Sequence, residues 1–370
     1  MKKLKIAVLY SDLSRDSGGA FSYVNTCIDS LSKSDLKQKY DIYFMTYSEI
    51  SHSDSKLKTV KNRLLPSFDV KKDSLNSLNF DFAWSLEPLH RPLSVPYVNT
   101  IWDLNHRNTP WFPEFGEGEW EAREKRFVNS IGKATFTVTG TEQTARDLDI
   151  YYSPRIGSIK VLPMPVNDLF FEINRTNSTN DHFFYPAPYW HHKNHKLIVD
   201  AFSLLKNQGL LGDLKIDFLG ADKGLKSQLI KFIKQRGLEN NINIEGFSSF
   251  PSLISKYKEY GAMIYPSHFG PDNLPPLEAL ASNCPVMLAE LNGSREFYGD
   301  RVMYFDNNSA ESLASCIQNF RSGIRPKIYP SDSQFLRSHT EENFARIFDE
   351  LISEIHPSLF SWKIGSSENE

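Results

Sequence analysis

"GAMIYPSHFGPDNLPPLEALASNCPVMLAE", residues 261–290, holds two β-rich runs on either side of a short apolar helical segment. The runs GAMIYPS and PVMLAE have the length and apolar content of buried strands. A strand, a helix and a second strand in succession indicate a parallel sheet with helices on its faces. The same alternation continues along nearly the whole chain, and it decides the fold class.

Ten further β-rich runs extend the pattern in both directions. They span residues 4–10, 40–46, 80–84, 96–102, 134–139, 159–162, 181–187, 214–220, 241–247 and 301–306. The segments AFSYVNTCIDSLS, GEWEAREKRFVNSIG and HKLIVDAFSLLKNQG between them carry apolar residues at helical spacing. We therefore expect an α/β protein made of two successive doubly wound, Rossmann-like units.

The length of 370 residues exceeds the usual size of one domain, which favours two. The stretch PMPVNDLFFEINRTNSTND, residues 163–181, loses helical and strand periodicity and is rich in Pro, Asn, Ser and Thr. Such a composition is typical of a connection between domains. We place the domains at 1–165 and 182–334 and the linker at 166–181.

Composition excludes several classes of partner and of site. A net charge of −3 leaves no basic stripe for a nucleic acid and favours a small-molecule partner. The cysteines, Cys27, Cys284 and Cys316, form no CxxC pair, which indicates a reducing compartment. The apolar run in MKKLKIAVLY is too short for a signal peptide or a membrane span. We expect a cytoplasmic protein.

In open α/β sheets, ligands collect beyond the carboxyl ends of the strands, so four loops are candidate sites. The first is SDLSRDSGGAFSYV, in which Gly18 and Gly19 remove side chains just before a helix. The free backbone amides of that helix can then approach an anion or a sugar. A glycine pair also suits an ordinary tight turn, and this one does not match the GxGxxG pattern of dinucleotide-binding enzymes.

The second loop, IWDLNHRNTPWFPEF, clusters aromatic and polar side chains within ten positions. They are Trp102, Asp103, His106, Arg107 and Trp111. A simple connector does not need this density, which therefore favours a binding surface. His106 alone fits a structural role equally well.

The third loop lies in YPAPYWHHKNHKLIVDAF, where Asn194 is positioned as the N-cap of an amphipathic helix. Lys193 would stand at the mouth of that helix. An ammonium beside free backbone amides suits a diphosphate, because it adds a point charge to the helix dipole. The alternative is a solvated surface lysine.

The fourth loop leads into the helix that carries Glu278. Pro275 and Pro276 suit its first turn, and Asn283 with Pro285 ends it. The Glu278 carboxylate either interacts with the positive end of the helix or accepts two hydrogen bonds from a vicinal diol such as ribose.

Taken in order, GGAFSYV, WDLNHRNTPWFPEF, HHKN, GFSSFPSLISKYKEYGAMIYPS and FGPDNLPPLEALASNCPV resemble the retaining glycosyltransferases of family 4. The FGPxNxPPxEA pattern is similar to that of bacterial polysaccharide and O-antigen transferases. The resemblance implies the GT-B fold, with an acceptor-side domain followed by a nucleotide-sugar donor domain, facing each other across a cleft. It also implies that a last helix, about 335–356, packs back on the first domain.

The resemblance implies a role for each matching residue. Gly19 would lie against the donor diphosphate, Lys193 would neutralise it and Glu278 would bind the ribose. The catalytic residues would be Lys193, Asp103 and His106, the last two positioning acceptor or sugar. The donor-binding residues would be Gly18, Gly19, Asn194, Gly246, Phe247, Gly270, Pro271, Asp272, Asn273, Leu274 and Glu278.

Three departures from the family pattern leave sugar identity and catalytic competence open. The family pairs Glu278 with a second glutamate, whose position here is Gly270. The arginine that normally precedes the phosphate lysine has no match in YPAPYWHHK. Trp102 stands where many members have a histidine.

The expected reaction is transfer of a hexose-type sugar from a UDP- or GDP-sugar to a glycan or lipid-linked glycan, with retention, in bacterial surface polysaccharide synthesis. We expect no cofactor and no metal, since the DLD at 147–149 fits a surface helix. A lipid-linked acceptor would imply peripheral contact with the cytoplasmic face of the membrane. A non-catalytic GT-B subunit and a nucleotide-sugar epimerase are the alternatives.

Overall fold

The computed structural model describes residues 3–46, 79–175, 181–327 and 333–367. Within these segments, twelve strands form two six-stranded sheets in which every pairing is parallel. The strands are β1 Leu4–Tyr10, β2 Tyr40–Thr46, β3 Phe82–Ser85, β4 Tyr97–Thr100, β5 Phe136–Thr139, β6 Ile159–Val161, β7 His182–Pro186, β8 Lys215–Leu219, β9 Ile242–Ile244, β10 Ala262–Tyr265, β11 Val286–Ala289 and β12 Met303–Phe305. Each lies within one of the twelve runs expected from the sequence or extends it by one residue.

Helices flank both sheets. They are α1 Gly19–Lys33, α2 Leu36–Lys39, α3 Asn105–Asn108, α4 Glu119–Ile131, α5 Glu142–Tyr152, α6 His195–Asn207, α7 Lys226–Gln235, α8 Phe250–Glu259, α9 Leu274–Ala281, α10 Ser294–Tyr298, α11 Ala310–Arg321, α12 Gln334–Arg337 and α13 Glu341–Ser367. Short 3-10 helices cover Arg15–Ser17, Pro113–Phe115, Asp168–Phe170 and His191–Lys193.

The strand orders are β2-β1-β3-β4-β5-β6 and β12-β11-β10-β7-β8-β9. In each sheet the order reverses beside the first strand, β1 or β7, and ligands of open α/β sheets bind outside such reversals. The two Rossmann-like units face each other across a cleft. The expected GT-B fold class is confirmed. Residues 176–180 of the predicted linker lie outside the described residues, and the domain boundaries stay predictions.

The last helix packs on the first sheet, although it belongs to the far end of the chain. Phe348 of α13 is buried and stacks on Trp84 of β3, with ring centroids 4.8 Å apart. Phe344 and Ile352 are buried in the same core cluster. This helix begins at Glu341 rather than near residue 335, because residues 338–340 form a turn after the short helix α12.

Candidate active site

Two adjoining cavities form one cleft between the sheets. One, of about 400 Å³, is lined by Glu278 and is here named the Glu278 cavity. The other, of about 270 Å³, is lined by Lys193 and is named the Lys193 cavity. Both contact Gly19 of the first domain and Pro275 of the second, so the cavities are continuous. Their remaining shared lining is Pro186, the last residue of the reversal strand β7, with Ala187 and Pro188 directly after it.

Glu278 lies on the first turns of α9 with its carboxyl group buried at the cavity wall. Its Oε2 accepts a hydrogen bond of 2.7 Å from the Tyr257 hydroxyl. Burial raises the pKa of Glu278 to about 7, although the bond from Tyr257 opposes that rise. Phe247 and Arg15 line the same cavity from opposite domains. The cavity therefore offers a carboxyl group, an exposed aromatic ring and a guanidinium to one ligand.

Lys193 ends the 3-10 helix that precedes α6. Its carbonyl accepts a 2.8 Å bond from the Tyr185 hydroxyl, and its Nζ donates to the Tyr265 hydroxyl at 3.4 Å. Burial lowers the pKa of Lys193 to about 8, and the carboxylates of Asp103 and Glu114 oppose the fall. The ammonium is therefore mostly charged at pH 7 and poorly solvated, which favours an anionic ligand.

Asp103 faces the same cavity from the first domain, in the loop after β4. Its Oδ1 accepts a 2.8 Å bond from Arg123 and a 2.9 Å bond from the Asn105 amide. Burial alone would raise the pKa of Asp103, but Arg123 and the Asn105 N–H outweigh it and hold the pKa below its ordinary value. Asp103 is therefore a fixed negative charge in the cavity.

Hydrogen bonds fix the loop before α9. The Tyr265 hydroxyl donates to Asn273 Oδ1 at 3.0 Å, and Asn273 Nδ2 donates to the Phe269 carbonyl at 2.8 Å. Since Tyr265 also accepts from Lys193, the lysine and the loop belong to one network. The loop residues Gly270, Asp272, Asn273 and Leu274 all line the Lys193 cavity.

Contacts between the domains close one side of the cleft. Glu114 Oε1 accepts from His192 Nδ1 at 3.0 Å, and the rings of Phe115 and Phe269 stack with centroids 5.6 Å apart. Burial lowers the pKa of His192 to about 4, while hydrogen bonds from His192 outweigh burial and lower the pKa of Glu114 to about 2. A neutral imidazole therefore donates to an ionised carboxylate across the interface.

Most of the predicted residues come together in this cleft. The Glu278 cavity is lined by Gly18, Gly19, Phe247 and Glu278, and the Lys193 cavity by Gly19, Asp103, Lys193, Gly270, Asp272, Asn273 and Leu274. His106, Asn194, Gly246 and Pro271 line neither cavity. Gly18 has a φ of 60°, which favours glycine, and it begins α1 at the cleft.

The position of His106 does not fit the catalytic role expected for it. Its side chain is fully buried, with Nε2 3.1 Å from Glu124 Oε2 and 3.2 Å from the Tyr152 hydroxyl. Its ring packs edge-on against Phe127. Burial and the nearby Arg123 lower the pKa of His106 to about 4. His106 is a neutral packing residue beneath the loop that carries Asp103.

Asn194 also differs from its predicted role. It occupies the N-cap position of α6, but no side-chain bond caps the helix. Its Nδ2 instead donates to the Asn307 carbonyl at 2.9 Å, and its backbone φ is 54°. Asn tolerates this left-handed conformation better than most residues, which accounts for an asparagine at a tight entry into the helix.

Several cleft residues had no signal in the sequence. Tyr257 and Tyr265 sit in ordinary helical and strand patterns, yet they bond Glu278, Asn273 and Lys193. Their roles depend on which loops lie next to each other in the folded protein, and no local sequence pattern indicates that. Glu114 lies in the second quoted loop, where its charge among aromatic residues was the available signal.

Within the described segments, no group of three or more His, Cys, Asp or Glu residues is arranged to hold a metal ion. None of the helices in those segments combines the length and hydropathy needed to span a bilayer.

The model of the family described as "Glycosyl transferases group 1" matches residues 166–323. This segment is therefore similar to group 1 glycosyl transferases. It carries Lys193, the loop before α9 and Glu278. A relative, the poly(glycerol-phosphate) alpha-glucosyltransferase of Bacillus subtilis (strain 168), is 24% identical over 46% of this chain and 26% of its own length. The other two curated relatives are matched over 28% and 58% of their lengths.

Solved structures share the fold over nearly the whole chain. Sucrose-phosphate synthase from Thermosynechococcus elongatus superposes with a TM-score of 0.74 and 12% identity, over 96% of this chain and 100% of that protein. Anabaena HepE, in complex with UDP and glucose, has a TM-score of 0.64 and 13% identity, over 95% of this chain and 100% of that chain. At these identities the similarity establishes the GT-B architecture alone.

Proposed function

We propose that this chain is a retaining glycosyltransferase of family 4. It moves a hexose-type sugar from a UDP- or GDP-sugar to a glycan or lipid-linked glycan in bacterial surface polysaccharide synthesis. The observation that carries the proposal is that Lys193 and Glu278 line adjoining cavities of one cleft between two Rossmann-like domains. A lysine in one cavity and a carboxyl group in the adjoining one match a diphosphate next to a ribose.

The chemistry of each cavity supports this orientation of the donor. A vicinal diol donates two hydrogen bonds, and the Glu278 carboxyl group, already held by Tyr257, keeps an oxygen for it. Phe247, exposed beside Glu278, suits the flat face of a base. Arg15 lines the Glu278 cavity and adds a positive charge to the cleft, in a chain that lacks the arginine of the family pattern before Lys193.

Transfer breaks the bond between the anomeric carbon and the phosphate oxygen and forms a bond to the acceptor oxygen. Positive charge develops on the sugar and negative charge on the departing diphosphate. Lys193 and the backbone amides of Gly19 and Leu274 stabilise the departing charge without a metal. The leaving phosphate accepts the acceptor's proton, so the mechanism requires neither a dedicated base nor a cofactor.

The relatives support the substrate class. The Bacillus subtilis relative is named for glucosylation of a poly(glycerol-phosphate), and the Anabaena neighbour contains UDP and glucose. We place the protein in the cytoplasm, with peripheral membrane contact where its acceptor is lipid-linked.

The ribose assignment is tested by calorimetric binding of UDP, GDP and their 2′,3′-dideoxy analogues. We expect the wild-type protein to bind one natural nucleotide about 10-fold or more tightly than its dideoxy analogue. Glu278→Gln should abolish this preference, because the amide retains the contact with Tyr257 but is a poorer acceptor for two hydroxyls. Glu239→Gln, on the exposed surface of the same domain, is the matched control. A Glu278→Gln variant that keeps the full preference would contradict the proposal.

Catalysis is tested by nucleotide release from UDP- and GDP-sugars, with and without membrane extracts that contain lipid-linked glycans. Nucleotide release that requires the acceptor, together with the appearance of a radiolabelled donor sugar in the glycan, supports transfer. Release without acceptor together with an epimerised sugar would favour an epimerase. Tight nucleotide binding with no turnover of any donor would favour the non-catalytic subunit.

A further inference from the structure

Gly270 stands where the family pattern has its second acid, and the fold leaves no room for one. A Cβ at this position would lie 3.0 Å from Asn273 Nδ2 and 3.0 Å from Leu291 Cδ1. Asn273 cannot move aside freely, since it is bonded to Tyr265 and to the Phe269 carbonyl. A side chain at 270 would therefore press on Asn273 and Leu291. Any acid that contacts the ligand here has to come from another position.

Asp272, two residues further on, lines the Lys193 cavity and reaches across to the first domain. Its Oδ2 lies only 1.9 Å from the point that a Cβ on Gly140 would occupy. Gly140 directly follows β5, so the carboxyl group rests on the bare backbone of the opposite domain. The three heavy atoms nearest to that point all belong to Asp272. The position of this carboxyl group thus depends on the absence of a side chain at Gly140.

We propose that Asp272 is the sugar-binding acid of this cleft: its carboxyl group hydrogen-bonds a hydroxyl of an uncharged donor sugar, and Gly140 of the opposite domain sets its position. The inference rests on the proposed function, since it assumes a nucleotide sugar in the cleft. It assigns the recognition of the sugar to an acid two residues away from the expected one.

The electrostatics of the cavity favour an uncharged sugar. Burial and the charge of Asp103 raise the pKa of Asp272 to about 8. At pH 7 the cavity therefore already keeps one of its two carboxyl groups protonated. A uronic acid would add a second carboxylate beside that of Asp103, which the cavity disfavours. A protonated carboxyl both donates and accepts a hydrogen bond, as a sugar hydroxyl requires.

The test is the ratio of two dissociation constants, that of a nucleotide sugar and that of its free nucleotide diphosphate. The probes are UDP with UDP-glucose, UDP-galactose and UDP-glucuronate, and GDP with GDP-mannose, measured by calorimetry at pH 7. Asp272→Ala should raise the ratio about 10-fold for at least one uncharged sugar, because a buried hydroxyl loses its partner. Binding of the free diphosphate, which lacks the sugar, should change little.

Gly140→Ala supplies an independent perturbation from the other domain. The new methyl group would overlap the Asp272 carboxyl, so it should raise the same ratio in the wild-type background. In the Asp272→Ala background there is nothing to displace, and Gly140→Ala should have no further effect. Gly132→Ala is the matched control, because Gly132 has an ordinary φ of −63° and its nearest neighbour is 3.8 Å away.

Three results would overturn the inference while leaving the proposed function intact. One is an unchanged ratio in Asp272→Ala for every sugar, including the case in which both constants rise equally. Another is a full effect of Gly140→Ala in the Asp272→Ala background. The third is UDP-glucuronate binding as tightly as the uncharged UDP-sugars. If no nucleotide or nucleotide sugar binds the wild-type protein, the proposed function fails and the inference fails with it.

Discussion

Replacing Lys193 by Met should make the ligand-free protein more stable and its nucleotide binding weaker. Met has a similar length and keeps the apolar contacts of the lysine stem, so the change removes mainly the charge. The two effects have opposite signs because one buried ammonium causes both: it is poorly solvated in the empty cleft and would be neutralised by a diphosphate.

The pKa of Lys193 sets the size of both effects. A fall from the usual 10.5 to about 8 corresponds to roughly 3 kcal/mol against the charged form. Partial solvation of the side chain reduces this, leaving about 1–2 kcal/mol. Because the folded pKa is the lower one, the unfolded chain binds the extra proton between pH 8 and 10.5, and stability rises with pH across that range. At pH 7, Lys193→Met should therefore raise the free energy of unfolding by about 1–2 kcal/mol.

Binding should show the opposite trend with pH. With a pKa of about 8, roughly 90% of Lys193 is charged at pH 7 and roughly 10% at pH 9, so the affinity for UDP or GDP should fall about 10-fold. The carboxyl of Asp272, with a pKa of about 8, ionises over the same range and also weakens anion binding. Lys193→Met retains only that second contribution, and its affinity should change less between pH 7 and pH 9.

The assay is urea unfolding of the ligand-free protein together with calorimetric titration of UDP and GDP at pH 7, 8 and 9. Lys231→Met, at an exposed position of the same domain, controls for the loss of one positive charge. A Lys193→Met variant that is less stable than the wild type would refute the burial argument. Nucleotide affinity equal to that of the wild type at pH 7 would refute the assignment of the diphosphate to Lys193.

Two further predictions concern stability. Lys256 forms a buried salt bridge of 2.7 Å with Asp217. Lys256→Ala should lower the free energy of unfolding by about 3–5 kcal/mol, because it leaves the buried charge of Asp217 without this partner, whereas the exposed Lys258→Ala should cost less than about 0.5 kcal/mol. Similar losses for the two variants in urea unfolding would contradict this. Phe348→Ala should destabilise the first domain by about 3–5 kcal/mol, because the ring is fully buried. Arg346→Ala on the exposed side of the same helix should cost less than about 1 kcal/mol, and a Phe348 variant no less stable than that control would show that the helix contributes little.

The strand pattern could be predicted from the sequence because parallel strands buried on both faces are short apolar runs. Ala262–Tyr265 and Val286–Ala289 are buried along their whole length, as the stretch that spans them predicts. The break before Glu341 was missed, since Ser338 and Thr340 do not interrupt the apolar spacing of the segment. A turn set by polar residues leaves little trace in hydrophobic periodicity.

The residues of the candidate site likewise fall into those that the sequence could indicate and those that it could not. Gly19, Lys193 and Glu278 were identified because glycine pairs, helix starts and helix-borne acids are local features that follow strands. His106, expected to position acceptor or sugar, lines neither cavity. A histidine in a polar and aromatic loop looks the same in the sequence whether it faces a cavity or packs on Phe127. Only the burial of its side chain distinguishes the two cases.

By itself, the sequence determined the two α/β units, the loops that carry the candidate site, and the lysine and glutamate in them, because each depends on residues close along the chain. The tertiary structure decided which of those loops meet. Asp272 rests on Gly140 and Glu278 accepts a bond from Tyr257, and neither pairing is encoded by any spacing in the chain. Such contacts arise only when the carboxyl edges of two sheets face each other. Asp272 was a donor-binding candidate from the sequence, but its dependence on Gly140 became visible only in the folded protein.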